Sequence, residues 1–164
     1  MIDPLDLIGT AADDAVMNLA VFAAITGAIS GMWFWSAKIG GHLLSPGLGS
    51  LTSTMFTGAG LLLGLSGLLA GLDLSDGLGD AMVWVACAGA LLAVLASLGV
   101  VAAVAQAMRS GVSADDDPWH GHTLEWATAT PVPAGNFADP LDRVTSESPL
   151  LDAAEAGGEG GESA

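Results

Sequence analysis

Ala81–Met108, AMVWVACAGALLAVLASLGVVAAVAQAM, contains no charged side chain, and Ser97 and Gln106 are its only notable polar groups. An α-helix needs about 20 apolar residues to cross roughly 30 Å of hydrocarbon. This run exceeds that length, so it can tilt or project beyond a bilayer. Two more runs on its N-terminal side have the same character, Ala15–Ala37 and Thr52–Leu72. Every acid lies in Met1–Asp14, in Asp73–Asp80 or beyond Arg109, and none falls inside a run. Across the 164 residues, 52% are hydrophobic and 13% charged, the latter about half the usual share. Little amphipathic sequence is left to cover three buried helices of a water-soluble domain. The expected fold is therefore all-α and integral to a membrane, with three transmembrane helices at about 15–37, 52–72 and 81–108 inside a membrane domain 15–109.

Charge narrows the partners. With 18 acids against three basic residues, the formal net charge is −15. That argues against nucleic acid and an anionic membrane surface as electrostatic partners. Residues 1–14 are acidic and lack the basic start of a secretory signal. They read as a surface segment, with Asp13 and Asp14 capping the first helix. The single cysteine, Cys87, cannot form an internal disulfide.

Trp33, Phe34 and Trp35 close the first run and suit the aromatic belt of a membrane interface, with Lys38 just beyond. Residues 39–51 have the Gly/Pro chemistry of a turn. Lys38 follows helix one and Arg109 follows helix three, whereas Asp73, Asp76 and Asp80 occupy the loop between helices two and three. The positive-inside rule then places the N-terminus outside and the C-terminus in the cytoplasm of a multi-pass protein of the plasma membrane. Small residues four apart share a helix face and let another helix approach closely. Gly27 and Gly31, Gly60 and Gly64, and Gly67 and Gly71 are the candidate helix-packing pairs.

Catalytic chemistry is hard to place. Buried ionisable groups, which mark intramembrane redox and transport sites, are missing from the three runs. Asn18, Thr26, Ser30, Thr54, Thr57, Ser66, Ser97 and Gln106 are expected to bond neighbouring helices. Met17 and Met55 read as packing residues. His120-x-His122 beside Asp115–Asp117 is a weak metal pattern without a second cluster to complete it. No catalytic, cofactor-binding or metal-ligating residue is assigned.

After Arg109 comes Asp117–Phe137, DPWHGHTLEWATATPVPAGNF. Apolar bulk placed in water is costly unless it packs on something. Trp119, Leu124, Glu125, Trp126, Pro131 and Pro133 are therefore the candidates for docking a tail, residues 110–140. Residues 141–164, rich in acids, Gly and Ser, are expected to be disordered.

This tail resembles the C-terminal end of subunit I of the haem–copper cytochrome c oxidases, whose last helix is followed by a pattern like D-P-W-x-x-x-T-L-E-W-x-T-x-x-P-x-P-x-x-N-F. The matching residues are Asp117, Pro118, Trp119, Thr123, Leu124, Glu125, Trp126, Thr128, Pro131, Pro133, Asn136 and Phe137. Upstream, Trp35-x-x-Lys38-x-x-Gly41 and Leu48-Gly49-x-Leu51 look like the turn after that family's tenth helix. Asp6–Thr10 looks like the segment before it. The resemblance covers roughly residues 3–140 and implies the last three helices and tail of a twelve-helix subunit.

It also implies what is missing. The family's tenth helix begins with a His-x-His pair that ligates both haems, and the matching positions here are Ala15-Val16-Met17-Asn18. The copper ligands and the cross-linked tyrosine belong to helices outside this stretch, and the chain contains no tyrosine. The second run, mostly Leu and Gly, departs from the family pattern. The resemblance thus implies a degenerate subunit-I-like segment, a small integral subunit or split C-terminal piece with a structural role. The chain itself would bind no cofactor. Haem and copper would sit in a partner oxidase subunit, and the partners would be other terminal oxidase subunits and the bilayer. A truncated portion of a catalytic subunit I, or an unrelated three-helix membrane protein, are the alternatives.

Overall fold

The computed structural model describes residues 4–72, 77–137, 144 and 146–158. Three long helices dominate: α1 (Pro4–Gly40), α2 (Pro46–Gly71) and α3 (Leu78–Ser110). Each contains a stretch long and apolar enough to cross a membrane: Gly9–Gly40, Pro46–Gly71 and Leu78–Arg109. A two-residue strand, β1 (His42–Leu43), follows α1, and another, β2 (Val112–Ser113), follows α3. A 3-10 turn at Leu124–Ala127 and a short helix, α4 (Pro149–Gly158), complete the described elements.

All three helices are longer than the apolar runs. Residues 4–14, expected as a surface lead-in, are helical, which corrects the reading of Asp13 and Asp14 as caps. Both aspartates are exposed side chains well inside α1. Beginning the helix at Pro4 is favourable because proline is preset for the first helical turn. The turn after α1 is also shorter than expected. Ser45 caps α2 by accepting from the Leu48 amide at 3.4 Å, and Pro46 opens the helix. Gly47 and Gly49 each cost about 1 kcal/mol in a helix relative to alanine. At Gly49 the cost serves packing, since a Cβ there would lie 2.5 Å from the Trp33 indole nitrogen. Asp73 and Asp76 lie outside the described residues.

The chain divides into two compact units. The first comprises Met1–Trp33 and Ser45–Gln106. Within it α2 is the central helix, the most buried of the three. Close approach is built from small residues. A Cβ on Gly60 would lie 2.6 Å from Phe22 Cβ, and one on Gly64 would lie 3.0 Å from Leu19. On the other face of α2, Gly89 of α3 meets Leu62 and Leu63, and Gly99 meets Thr52. Phe22 and Phe56 add a tilted ring contact at 6.5 Å. The outward surface is apolar: Val16, Met17, Trp84, Leu91, Leu98 and Val101 are all exposed. Such a surface in water would be unusual for a globule and is ordinary against lipid or a partner helix.

Seven hydroxyls in this unit bond within their own helices. Thr26 donates to Phe22 O, Ser30 to Thr26 O, Thr52 to Leu48 O, Thr54 to Ser50 O, Thr57 to Ser53 O and Ser97 to Ala93 O. Ser66 donates to Leu63 O in the same way. The expectation of bonds to neighbouring helices is therefore corrected for Thr26, Ser30, Thr54, Thr57, Ser66 and Ser97: a hydroxyl one turn from a carbonyl finds it at no extra cost in chain order.

The second unit comprises Phe34–Leu44 and Ala107–Ala164. In it β1 and β2 pair antiparallel, His42 opposite Ser113 and Leu43 opposite Val112. The Ala114 amide donates to Gly41 O, extending the join. Gly41 takes a left-handed φ of 69°, and a Cβ there would press on the Pro131 ring at 3.2 Å. Within the stretch 141–164, for which disorder is the expectation, Pro149–Gly158 forms α4, and the Leu150 amide donates to His122 O. Residues 138–143, 145 and 159–164 lie outside the described residues.

Candidate functional site

The second unit is assembled around one lysine. Lys38 stands in the last turn of α1 and is only 2% exposed. An ammonium has three protons to donate, and three oxygens take them: Asp116 O at 2.7 Å, Thr128 O at 2.5 Å and Thr130 Oγ1 at 3.3 Å. The Trp126 ring lies over it, 5.6 Å from nitrogen to centroid, within the range of a cation–π contact. A buried charge is costly unless every hydrogen bond is made, and here neutral oxygens of the tail make them. The tail closes on itself around this point. Asp116 gives its carbonyl to Lys38 and its carboxylate to the Thr130 amide at 2.7 Å, while the Val132 amide donates to the Lys38 carbonyl.

An aromatic stack covers the lysine. Trp126, buried, lies parallel to Trp35 at 5.7 Å and edge-on to Phe34 at 5.3 Å. Trp119 stacks on Phe34 at 5.9 Å and donates its indole N–H to the Phe34 carbonyl at 3.0 Å. Offset and edge-to-face pairs of this kind add about 0.5–1.5 kcal/mol each beyond burial. Gly121 lies directly against the Trp126 ring, where a side chain would have no room. Its amide is held by the Asp117 carboxylate at 2.8 Å.

The docking candidates therefore occupy different environments. Trp126 is buried, Leu124 is half-buried, and Trp119 packs by one face and is 45% exposed. Glu125, Pro131 and Pro133 are exposed. In the sequence Lys38 reads as an interfacial cation and as part of the turn motif Trp35-x-x-Lys38-x-x-Gly41, and its place at the centre is a structural finding. The spacing Trp35-x-x-Lys38 carries a signal, since residues three apart share a helix face. Trp33, grouped with the belt, lies in the first unit and donates its indole N–H to Ser45 O.

The glycine candidates divide as well. Gly60 and Gly64 receive Phe22 and Leu19 of this chain, whereas nothing lies within 4 Å of a Cβ on Gly27, Gly31 or Gly67. Gly71 is half-buried in the last turn of α2. At the positions matching the His-x-His pair, Ala15 is buried, with its carbonyl 3.3 Å from where a Gly64 Cβ would lie. Val16 and Met17 are exposed and Asn18 is half-buried. His120 and His122 are exposed. Among the described residues, no three of His, Cys, Asp and Glu are grouped to hold a metal ion.

No family model matches the chain. Individual relatives do. The chain is 34% identical over 138 residues, 74% of its length, to the cytochrome c oxidase subunit 1 of Alkalihalophilus pseudofirmus. It is 27% identical over 134 residues, again 74% of its length, to the cytochrome bo(3) ubiquinol oxidase subunit 1 of Buchnera aphidicola. A stretch of 38 residues, 23% of the chain, is 53% identical to the cytochrome c oxidase subunit 1 of Corynebacterium glutamicum. The chain spans only 21%, 20% and 6% of the length of these three relatives. It is thus a multi-pass membrane protein similar, over three-quarters of its length, to one part of oxidase subunit 1.

Proposed function

We propose that the chain serves as a C-terminal, subunit-I-like segment of a haem–copper terminal oxidase, with a structural role in the membrane complex. The observation that carries this reading is the Lys38–Trp126 cluster. It gives a physical reason for two residues of the tail pattern that resembles oxidase subunit I, since Trp126 stacks on Trp35 and Trp119 on Phe34 beside the buried Lys38. The similarity to subunit 1 of cytochrome c and ubiquinol oxidases supports the same reading.

In this proposal the chain binds neither haem nor copper. Ala15–Asn18 supply no imidazole where the resemblance calls for two, and haem and copper lie in the partner oxidase subunit. Open surface at Gly27, Gly31 and Gly67 receives helices of that partner. The second unit, with Lys38 and exposed Arg109, faces the cytoplasm, and the N-terminus lies outside the plasma membrane. The small share of each relative that is covered also favours a second form of the reading, in which the segment is one portion of a longer subunit I.

Affinity purification through a tag on this chain, followed by mass spectrometry of the intact polypeptides, tests both. Co-purified oxidase subunits with a tagged polypeptide of about 16.2 kDa plus the tag support the small subunit. A much heavier tagged polypeptide supports the longer subunit. Tagged chain without oxidase subunits rejects the proposal.

A further inference from the structure

Beside the buried lysine lies an open groove of about 380 Å³, lined by Trp35, Ile39, Val132 and Phe137 with Glu125 and Asn136 among the lining residues. We infer that this groove binds a phospholipid bearing a primary ammonium headgroup, such as phosphatidylethanolamine, with an acyl chain along the apolar wall and the ammonium on Glu125.

Three observations point there. The first is place: Trp35 and Ile39 stand at the C-terminal end of the membrane-competent stretch Gly9–Gly40, the level at which tryptophans meet headgroups. Ile39 is 76% exposed, so the wall is open to whatever surrounds the helix end. The second is size. A helix about 10 Å across rising 1.5 Å per residue needs roughly 120 Å³ per residue, so the groove would take only about three residues of one. An acyl chain is narrower, and part of its length can lie along the groove. The third is charge. The Glu125 carboxylate is exposed and makes no hydrogen bond or ion pair within the described residues. The one cation in the lining, Lys38, already gives its three protons to Asp116 O, Thr128 O and Thr130 Oγ1. A lipid with only a phosphate to offer meets a carboxylate and no free donor cation. A primary ammonium meets an unpartnered acceptor, and a charge-assisted hydrogen bond to it is among the stronger polar contacts.

The inference depends on the membrane reading and not on the oxidase proposal. It is tested by delipidating the purified full chain in detergent, adding equimolar dioleoyl phosphatidylethanolamine, phosphatidylglycerol and phosphatidylcholine, and recording retained lipid by native mass spectrometry. Retention of phosphatidylethanolamine about 10-fold over each of the other two is expected. Glu125→Gln should reduce that preference to about 2-fold or less, and Ile39→Trp, which fills the groove, should abolish retention of all three. Amide exchange at Val132, unchanged in Glu125→Gln, shows that the unit is still folded. Equal retention of the three lipids overturns the inference. So does a preference insensitive to both substitutions, or a photo-reactive group at position 39 that crosslinks to a polypeptide in native membranes and not to lipid.

Discussion

The two units of this chain hold together by opposite means. In the first, contacts are apolar and close, glycine against Phe22, Leu19, Leu62 and Trp33, and the hydroxyls turn back on their own helices. In the second, a single buried ammonium collects carbonyls from residues far along the chain, under a stack of four aromatic rings. The first arrangement is tolerant in kind: many sequences of Leu, Ala and Gly satisfy it. The second depends on the identity of one or two side chains. Substitutions in each unit separate these two kinds of dependence.

Trp126→Ala should be the most damaging. Truncating a buried tryptophan costs about 3–5 kcal/mol, and here Trp35, Phe34 and Lys38 all lose a face. The measurement is hydrogen–deuterium exchange at the Val132 and Ala114 amides, which donate to Lys38 O and Gly41 O. Both should lose protection, while amides in the middle of α2 keep theirs.

Lys38→Met comes next. It keeps the stem and removes the donor to three oxygens, two of them backbone carbonyls, for a loss of about 2–3 kcal/mol. Lys38→Arg should restore little, since a planar five-proton fork does not match three oxygens gathered round a point. Unchanged exchange at Val132 in Lys38→Met would mean that the aromatic stack alone holds the tail.

Most of the membrane part is legible in the amino-acid sequence. Ala81–Met108 has no charge to hide, and its length and composition are enough for it to cross a membrane. Where the residues mislead, the causes are physical. Gly47 and Gly49 look like turn residues, yet they lie in α2 because Trp33 needs the space that Gly49 leaves. Asp13 and Asp14 look like caps, yet the helix runs through them from Pro4, in a stretch without a strong breaker. In the tail, Trp119 and Trp126 announce themselves by their apolar bulk. The role of Lys38 stays hidden, because its partners are mainly main-chain carbonyls, and every residue has one of those. Sequence shows which side chains are present and is silent on where a carbonyl will be aimed.

In the first unit the expected effects are smaller. Gly60→Leu overfills the contact with Phe22, whose Cβ cannot swing aside, and should cost about 1–3 kcal/mol in thermal unfolding in detergent. Gly67→Ala faces open space, so its effect on the isolated chain should stay within about 1 kcal/mol, in the direction of greater helix stability. If a partner helix uses that face, the same substitution reduces co-purification of oxidase subunits without changing the melting of the chain. That pair of readouts separates packing inside the chain from packing against its neighbours.

In the proposed function, a chain with no haem ligand at Ala15–Asn18 lives inside a haem-bearing oxidase. The direct measurement is the reduced-minus-oxidised absorbance spectrum of the complex purified from native membranes through a tag on this chain. Haem absorbance in fixed ratio to the tagged chain, retained when Met17 is replaced by leucine, is the predicted result. A tagged preparation that is pure, folded and without haem absorbance would contradict it.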